Sequence, residues 1–454
     1  MKSDTRNQYT NIMVLDFQDI IVSIESLREY YLNSIDNIQK MKLNIEKDYA
    51  IGLFIENGIK EALSAEDRED TKKLLDELNN ETLPNGNRVS EYVIVEYEED
   101  EDEMAISYSI KKNSAIKTKY VDPRKARRAY DKIDQYENIL ISSTLSNVII
   151  IFEQYLAKVY TSLILINPRK YFQNQKVEIA DIFNKNVRDI VIECVNNEVE
   201  SNMFDSLKTL ELISEKENIN INRYINIMDE FEEIYYRRNL YIHNNGIVNN
   251  IYFCNVKEKY KKNRNIGEKL ISDDIYLRNA INMLYKVIGT LFYEVQIAYN
   301  PKNEKWNKAL SDMAFDLLCE KNYDVAEHLY FILSSCKQLC FRDKAMFRIN
   351  YINALKQQGK DILVKKELEG LDVSIATDDY KIAKLCLEDR NEEVYKALNT
   401  NYPNVYSAEL VRDWPIFINF RETNYYQKFI EEHSADADTI VVKFTEDGNE
   451  IQEN

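Results

Sequence analysis

The chain has 454 residues, 44% of them hydrophobic and 30% charged, with a formal net charge of −18. These figures fit an ordinary globular protein of two to four domains and exclude a disordered or collagen-like chain. With 9 Gly and 6 Pro an all-β fold rich in tight turns is excluded, and neither a P-loop nor a dinucleotide-binding glycine fingerprint is present. The acidic surface repels polyanions over most of its area, so any contact with nucleic acid must be confined to a local patch.

The first residues, MKSDTRNQYT, are polar, and no basic-then-apolar signal segment follows them. The longest apolar stretches, Val148–Phe152 and Leu163–Ile166, are too short to span a bilayer. A cytoplasmic protein without a membrane partner is expected. Six cysteines are scattered without a CxxC pair; Cys336 and Cys340 read as buried free thiols rather than metal ligands. Three histidines, His243, His328 and His433, exclude a His-rich metal centre. No metal and no cofactor is expected, and His328 and His433 read as structural.

Residues 14–48 read as one helix or two, with Leu15, Ile20, Ile21, Ile24, Leu27 and Tyr31 near a 3.6-residue period. A helix is predicted over Ile59–Leu78, stopped by the turn Pro84-Asn85-Gly86. Between Arg88 and Ser109, Tyr92, Ile94 and Glu96, then Ile106 and Tyr108, suggest two strands joined by the acidic loop Glu98–Glu103. The connector Lys111, Lys112, Lys117, Lys119, Arg124, Lys125, Arg127, Arg128 is either a polyanion-facing patch or a solvated linker. Helices follow over Ile133–Ile166 (closed by Asn167-Pro168), 187–213 and 222–243. Asn244-Asn245-Gly246 is a helix stop, and a further helix covers Asp273–Tyr299.

Beyond Pro301 the texture changes to short helical pairs. Lys321-Asn322-Tyr323-Asp324, Gln358-Gly359-Lys360-Asp361 and Asp389-Arg390-Asn391-Glu392 are similar turns, 37 and 31 residues apart. These spacings bracket the ~34-residue tetratricopeptide period. With most consensus Trp, Gly and Pro missing, the region is TPR-like and degenerate, its units burying their faces by stacking. Asp413 to Phe429 reads as a capping helix, and the last twenty or so residues as a frayed acidic tail. The predicted fold is mainly α. It has an N-terminal α+β segment with a small β-hairpin (1–129), a central helical bundle (130–300), helical repeats (301–432) and an acidic tail (433–454).

Chemistry concentrates in Tyr236-Arg237-Arg238-Asn239-Leu240-Tyr241-Ile242-His243-Asn244-Asn245-Gly246. His243 can exchange a proton near neutral pH. Asn239 is four residues earlier on the same face, where its amide can fix the imidazole. Arg238 lies about 140° around the axis from His243, so its long side chain must curl to reach the same point. Arginine suits a transferring phosphoryl group, because its planar fork binds two oxygens. The set fits RNA cleavage without metal, in which a base deprotonates the ribose 2′-OH and an acid protonates the leaving 5′-oxygen. One histidine per chain must shuttle, or a second copy must supply its own. The bland reading pairs Arg237 and Arg238 with Glu232, Glu233 or Asp229 and sets His243 against the helix dipole.

Residues 236–253 resemble the signature of HEPN domains, in particular the Arg-Asn-x3-His pattern of abortive-infection and toxin-like bacterial proteins. The similarity extends over Asn249 to Phe253, Ile266 to Leu270 and Asp274 to Leu277, and covers roughly Tyr130 to Asn300. The resemblance implies a helical bundle that dimerises to face two Arg…His motifs across one cleft, and a metal-independent endoribonuclease. It makes Arg238 and His243 catalytic, with Asn239 as an orienting group. Arg237, Asn244 and Tyr241 become candidate substrate contacts. Asn245 stands where a toxin branch carries a tyrosine that is modified to silence it. The expected partners are RNA, a second copy of the chain, and a protein or phage-derived trigger on the repeats, in antiphage defence or stress response. The alternative is a non-catalytic dimeric scaffold or sensor that binds proteins through its repeats. Glu153, Tyr155 and Lys158 are candidates for lining the cleft, and Tyr252 reads as either core or a base-stacking ring.

Overall fold

The computed structural model describes residues 4–65, 67–83, 87–99, 104–111, 118–172, 184–262, 264–373, 377–402, 406–433, 443–444 and 450–451. In chain order the elements are α1 (Asp4–Asp48), α2 (Ala50–Leu63), α3 (Arg68–Asn80), β1 (Val93–Glu99), β2 (Met104–Ile110), α4 (Thr118–Val121), α5 (Pro123–Ile166) and α6 (Pro168–Tyr171). Then come α7 (Val187–Asn202), α8 (Ser206–Glu217), α9 (Met228–Asn244), α10 (Asn250–Asn255), α11 (Glu258–Lys261) and α12 (Asp274–Tyr299). The C-terminal part holds α13 (Glu304–Cys319), α14 (Tyr323–Ser334), α15 (Phe341–Gln357), α16 (Asp361–Glu369), α17 (Asp378–Leu387), α18 (Asn391–Asn401), α19 (Ala408–Asp413) and α20 (Asn424–His433). The protein is mainly helical with a small antiparallel sheet of two seven-residue strands, β1 and β2, as its sequence predicts.

The bundle is organised on α1, α5 and α12. Met13, Phe17, Ile20, Ile24, Leu27 and Tyr31 of α1 are buried, repeating every three or four residues as an amphipathic helix requires. Leu15, expected on this face, is 62% exposed; two residues from Phe17, it lies about 200° around the helix. Phe17 stacks on Phe292 of α12 at 3.9 Å, and Gln296 donates to the Thr10 carbonyl at 3.3 Å. Thus α1 shares one core with α5 and α12. The division expected at 129/130 falls within α5, because Pro123 starts that helix and Asp122 caps it by accepting from Arg124 N. α5 is long and apolar enough to cross a membrane by length and composition, contrary to the short stretches read from the sequence. Yet 56% of its most apolar window is buried inside the protein, as in a core helix.

A separate small core joins α2, α3 and the β-hairpin. The single helix expected over Ile59–Leu78 is two, because Asp67 caps α3 by accepting from Asp70 N. The strands pair as expected, Val93 opposite Ile110 through Glu99 opposite Met104. Val93 and Val95 face inward. The Asn79 amide donates to Val95 O at 2.7 Å and accepts from Val95 N at 3.0 Å, occupying the free edge of β1. The Pro84-Asn85-Gly86 turn and most of the acidic run lie outside the described residues, although Glu98 and Glu99 belong to β1. The basic connector is partly helix, since Arg124 to Arg128 form the first turns of α5. Arg124 donates to the Tyr108 hydroxyl at 2.6 Å and Arg127 to Glu56 at 2.7 Å.

The segment expected as one helix over 187–213 is broken at Met203–Asp205, where Asp205 caps α8 by accepting from Lys208 N. The C-terminal part forms three helical hairpins, α13/α14, α15/α16 and α17/α18, at the three predicted turns. Lys321, Gly359 and Asp389 take positive φ of 63°, 68° and 56°. In each, the next N–H returns five residues: Asn322 to Leu317 O, Lys360 to Leu355 O and Arg390 to Leu385 O. This is the Schellman closure of a helix end. The first hairpin belongs to the bundle core and the later ones to a second core. The expected capping helix is α19 and α20 with two 3-10 turns between them. In the tail, Lys443–Phe444 pairs antiparallel with Glu450–Ile451; the rest of the expected frayed tail lies outside the described residues. Cys340, expected buried, is exposed, whereas Cys336 is buried.

His328 on α14 is buried and shares a 2.8 Å hydrogen bond with Thr290 of α12. Burial, with Lys286 nearby, pushes its pKa down to about 3. The unfolded chain therefore takes up this proton near pH 6.5 while the folded protein refuses it. This contribution to stability is intact above pH 6.5 and is lost as pH falls towards 3. Between pH 7 and 5 the wild-type protein should lose about 2 kcal/mol more than a His328→Gln variant. Urea unfolding at the two pH values checks this; parallel losses would remove His328 as the cause.

Candidate functional site

The Arg…His stretch forms the end of α9. The helix starts at Met228 rather than 222 because the Asn222 side chain accepts from Ile227 N and Met228 N, both at 3.1 Å. It stops as expected: Asn245 and Gly246 take φ of 50° and 75°, and Gly246 N donates to Leu240 O at 3.0 Å. A Cβ on Gly246 would meet the Tyr241 ring at 3.2 Å. The chain then makes an excursion between α9 and α12 and returns along the helix end. Val248 N donates to Glu268 O at 2.8 Å and Leu270 N to Gly246 O at 2.9 Å, with Ile247 bridging Lys269.

Arg237 and Arg238 are about 100° apart around α9, and the fold treats them oppositely. Arg237, expected to contact substrate, is 3% exposed. It donates to Glu233 at 2.8 Å, to Ile271 O at 3.0 Å and to Ser272 Oγ at 3.2 Å, and its guanidinium lies 3.9 Å over the Tyr276 ring. Glu233 also accepts from the Tyr252 and Tyr276 hydroxyls, each at 2.6 Å. Burial first, then the Glu233 charge, pushes both hydroxyls up, so they remain donors. For Arg237 burial opposes the charge, but Tyr276 and Glu233 outweigh it and the pKa rises. This closed cluster ties α9, the excursion and α12 together, and it removes Arg237 from any substrate role. Its Arg237–Glu233 pair matches the bland i,i+4 reading of the sequence.

Arg238 turns to the opposite side, its side chain 16% exposed. It pairs with Glu153 of α5 at 3.5 Å, donates to Asn239 Oδ1 at 3.1 Å and lies 5.4 Å over the Tyr235 ring. Its Nε is buried without a partner. Glu153 also accepts from Ser206 Oγ at 3.2 Å. Asn239 therefore orients Arg238, and no hydrogen bond joins it to His243 among the described residues. His243 is exposed, and no hydrogen bond or ion pair to it occurs among the described residues. Asn244 donates to Ile247 O at 2.6 Å and Tyr241 to Leu270 O at 2.8 Å, so both brace the excursion. Tyr252 is core. Of the three cleft candidates on α5, Glu153 reaches the site. Tyr155 is buried, and Lys158 pairs with Asp16 of α1 at 3.0 Å.

The sequence reading missed the Glu233 acceptor network as a unit, and Tyr235 under Arg238. The 233/237 spacing was the available signal for the first; nothing local signalled the second. Among the described residues no group of three or more His, Cys, Asp or Glu is arranged to hold a metal ion. Comparison with family models, with curated proteins and with solved structures finds no match to this chain.

Proposed function

We propose that the protein is an endoribonuclease that cleaves RNA without a metal, by attack of the ribose 2′-OH on the adjacent phosphate. The observation that carries this reading is the pairing of an accessible, unbonded imidazole with a guanidinium held one and a half helical turns away. Glu153, Asn239 and Tyr235 fix the Arg238 plane, and the side chain keeps 16% exposure. Such a prepositioned fork suits the charge that gathers on a phosphorane. His243 serves as base or acid, and the other proton transfer falls to the same imidazole or to that of a second copy. Self-association is supported by apolar side chains exposed around the motif: Ile242 (44%), Ile150 (43%) and Phe204 (96%). By the HEPN resemblance, the setting is antiphage defence or a stress response, with the helical hairpins receiving a trigger.

RNA needs a local cationic path on this acidic chain. A cavity of about 760 Å³ between α1 and α5 is lined by Lys125, Arg128 and Lys132 with Tyr49 and Tyr136, and by no acid. Arg128 and Lys132 have no ion pair among the described residues, and phosphates beside stacking rings suit single strands. Arg128→Glu with Lys132→Glu, in a His243→Ala background, should weaken binding of unstructured RNA at least tenfold. It should also flatten the slope of log K against log salt by about 1.4. Fluorescence anisotropy reads both, and an unchanged slope would remove the groove from the RNA path.

The deciding experiment incubates the protein with unstructured RNA in EDTA. The expected products carry 2′,3′-cyclic phosphate and 5′-hydroxyl ends, and they disappear in His243→Ala and Arg238→Ala. The scaffold reading is favoured by the engagement of Arg238 with Glu153 and Asn239. Absence of cleavage under every activating condition, with unaltered biology in the His243 variant, would establish it instead.

A further inference from the structure

We propose that the open groove between the three hairpins is a binding site for a small organic cation, an ammonium or guanidinium carried on an apolar or aromatic body. The cavity measures about 610 Å³, within the range of small-molecule sites. Its wall draws on the first helix of every hairpin: Asp312 and Phe315 from α13, Met346 and Asn350 from α15, Asp379 from α17. Tyr406, Leu410, Asp413 and Trp414 close it.

Two polar atoms on this wall, Asn350 Oδ1 and the Tyr406 hydroxyl, are buried and have no hydrogen-bond partner among the described residues. The residues are 4% and 1% exposed. A buried polar group left unmatched costs about 1–3 kcal/mol, so two of them on one wall call for an occupant with donors. Water is a poor candidate, since Phe315, Met346, Trp414 and the ring of Tyr330 make most of the surface apolar. An N–H donor beside an apolar body answers both demands. Burial, and then Asp379, push the Tyr406 hydroxyl up, so it remains a neutral hydroxyl rather than an anion.

Charge gives the sign of the occupant. Three carboxylates, Asp312, Asp379 and Asp413, line the cavity, and no Lys, Arg or His does. Lys308 holds Asp312 at 2.8 Å, Arg412 lies 3.5 Å from Asp413, and Thr377 donates to Asp379. None of these three donors lines the cavity. An anion entering would meet only acids, whereas a cation meets acids and ring faces that attract it. The rings of Trp414 and Tyr406, both on this wall, lie nearly parallel, with centroids 6.4 Å apart and planes at 17°.

The test titrates the full chain with three probes that share a phenyl ring: phenethylammonium, 2-phenylethanol and 3-phenylpropionate. Binding is read by calorimetry and by Trp414 fluorescence. The only other tryptophan, Trp306, is fully buried in the bundle core. Phenethylammonium should bind at least tenfold tighter than the neutral and anionic probes. Asp379→Asn should cut its affinity at least fivefold, and Leu410→Trp, at a half-exposed position of the rim, should abolish binding by filling the mouth. Circular dichroism melting verifies that both variants fold. Equal binding of the three probes, no saturation by about 10 mM, or binding unchanged in both variants would overturn the proposal. The outcome is independent of RNA cleavage.

Discussion

Glu233→Ala should destabilise the protein by about 3–5 kcal/mol, the cost of stranding a buried charge. Glu233 is the common acceptor for Arg237, Tyr252 and Tyr276. Its removal leaves the guanidinium, 3% exposed, with only the Ile271 carbonyl and Ser272 hydroxyl. Two tyrosine hydroxyls lose their acceptor as well. Since the cluster joins α9 to α12 and to the excursion between them, loosening should spread to Gly246–Leu270. The double change Glu233→Met with Arg237→Met should recover most of the loss, because an apolar pair of similar volume replaces both charges. Urea unfolding of the two variants measures this. A single-variant loss below about 1 kcal/mol would mean that solvent reaches the cluster and that burial does not govern it.

If the proposed nuclease reading holds, His243→Ala should lower the RNA cleavage rate by about 10²–10⁴-fold, the contribution of a positioned acid or base. Arg238→Ala should lower it by about 10²–10³-fold through loss of charge stabilisation in the transition state. Arg238→Lys should recover little, since the ammonium has neither the fork nor the plane held by Glu153, Asn239 and Tyr235. Stability separates chemistry from folding here. His243 is exposed and unbonded, so its replacement should shift unfolding by no more than about 0.5 kcal/mol. Arg237→Ala should destabilise the fold by removing the guanidinium that bonds Glu233, Ile271 and Ser272. A cleavage rate that tracks stability across these variants, rather than the identity of residues 238 and 243, would deny the motif a catalytic role.

Much of the local structure was legible because it depends on neighbours in sequence. The turns at Gly359 and Asp389 follow from residues that tolerate a left-handed backbone after an apolar-faced helix, while Lys321 takes the same conformation without that preference. The stop at Asn245-Gly246 has the same origin. Errors cluster where a short polar side chain captures a backbone N–H and splits a periodic stretch, as Asp67 does before α3 and Asp205 before α8. Hydrophobic periodicity runs through such caps unaltered.

Residue order alone is enough to show that the chain is helical, that a β-hairpin lies between Arg88 and Ser109, and that the C-terminal part turns three times in the same way. It also determined that two adjacent arginines precede a histidine at a helix end. Which arginine is sealed into the core and which turns toward α5 depends on how the neighbouring helices dock. α12 and the excursion bring Tyr276, Ser272 and Tyr252 to one side of α9, while α5 brings Glu153 to the other. The same holds for α1, whose partners on α12 lie nearly three hundred residues away. Helical period sets a side chain's angle about its own axis, but not which neighbour waits there. That depends on how the helices dock, and hence on the summed burial of the whole chain.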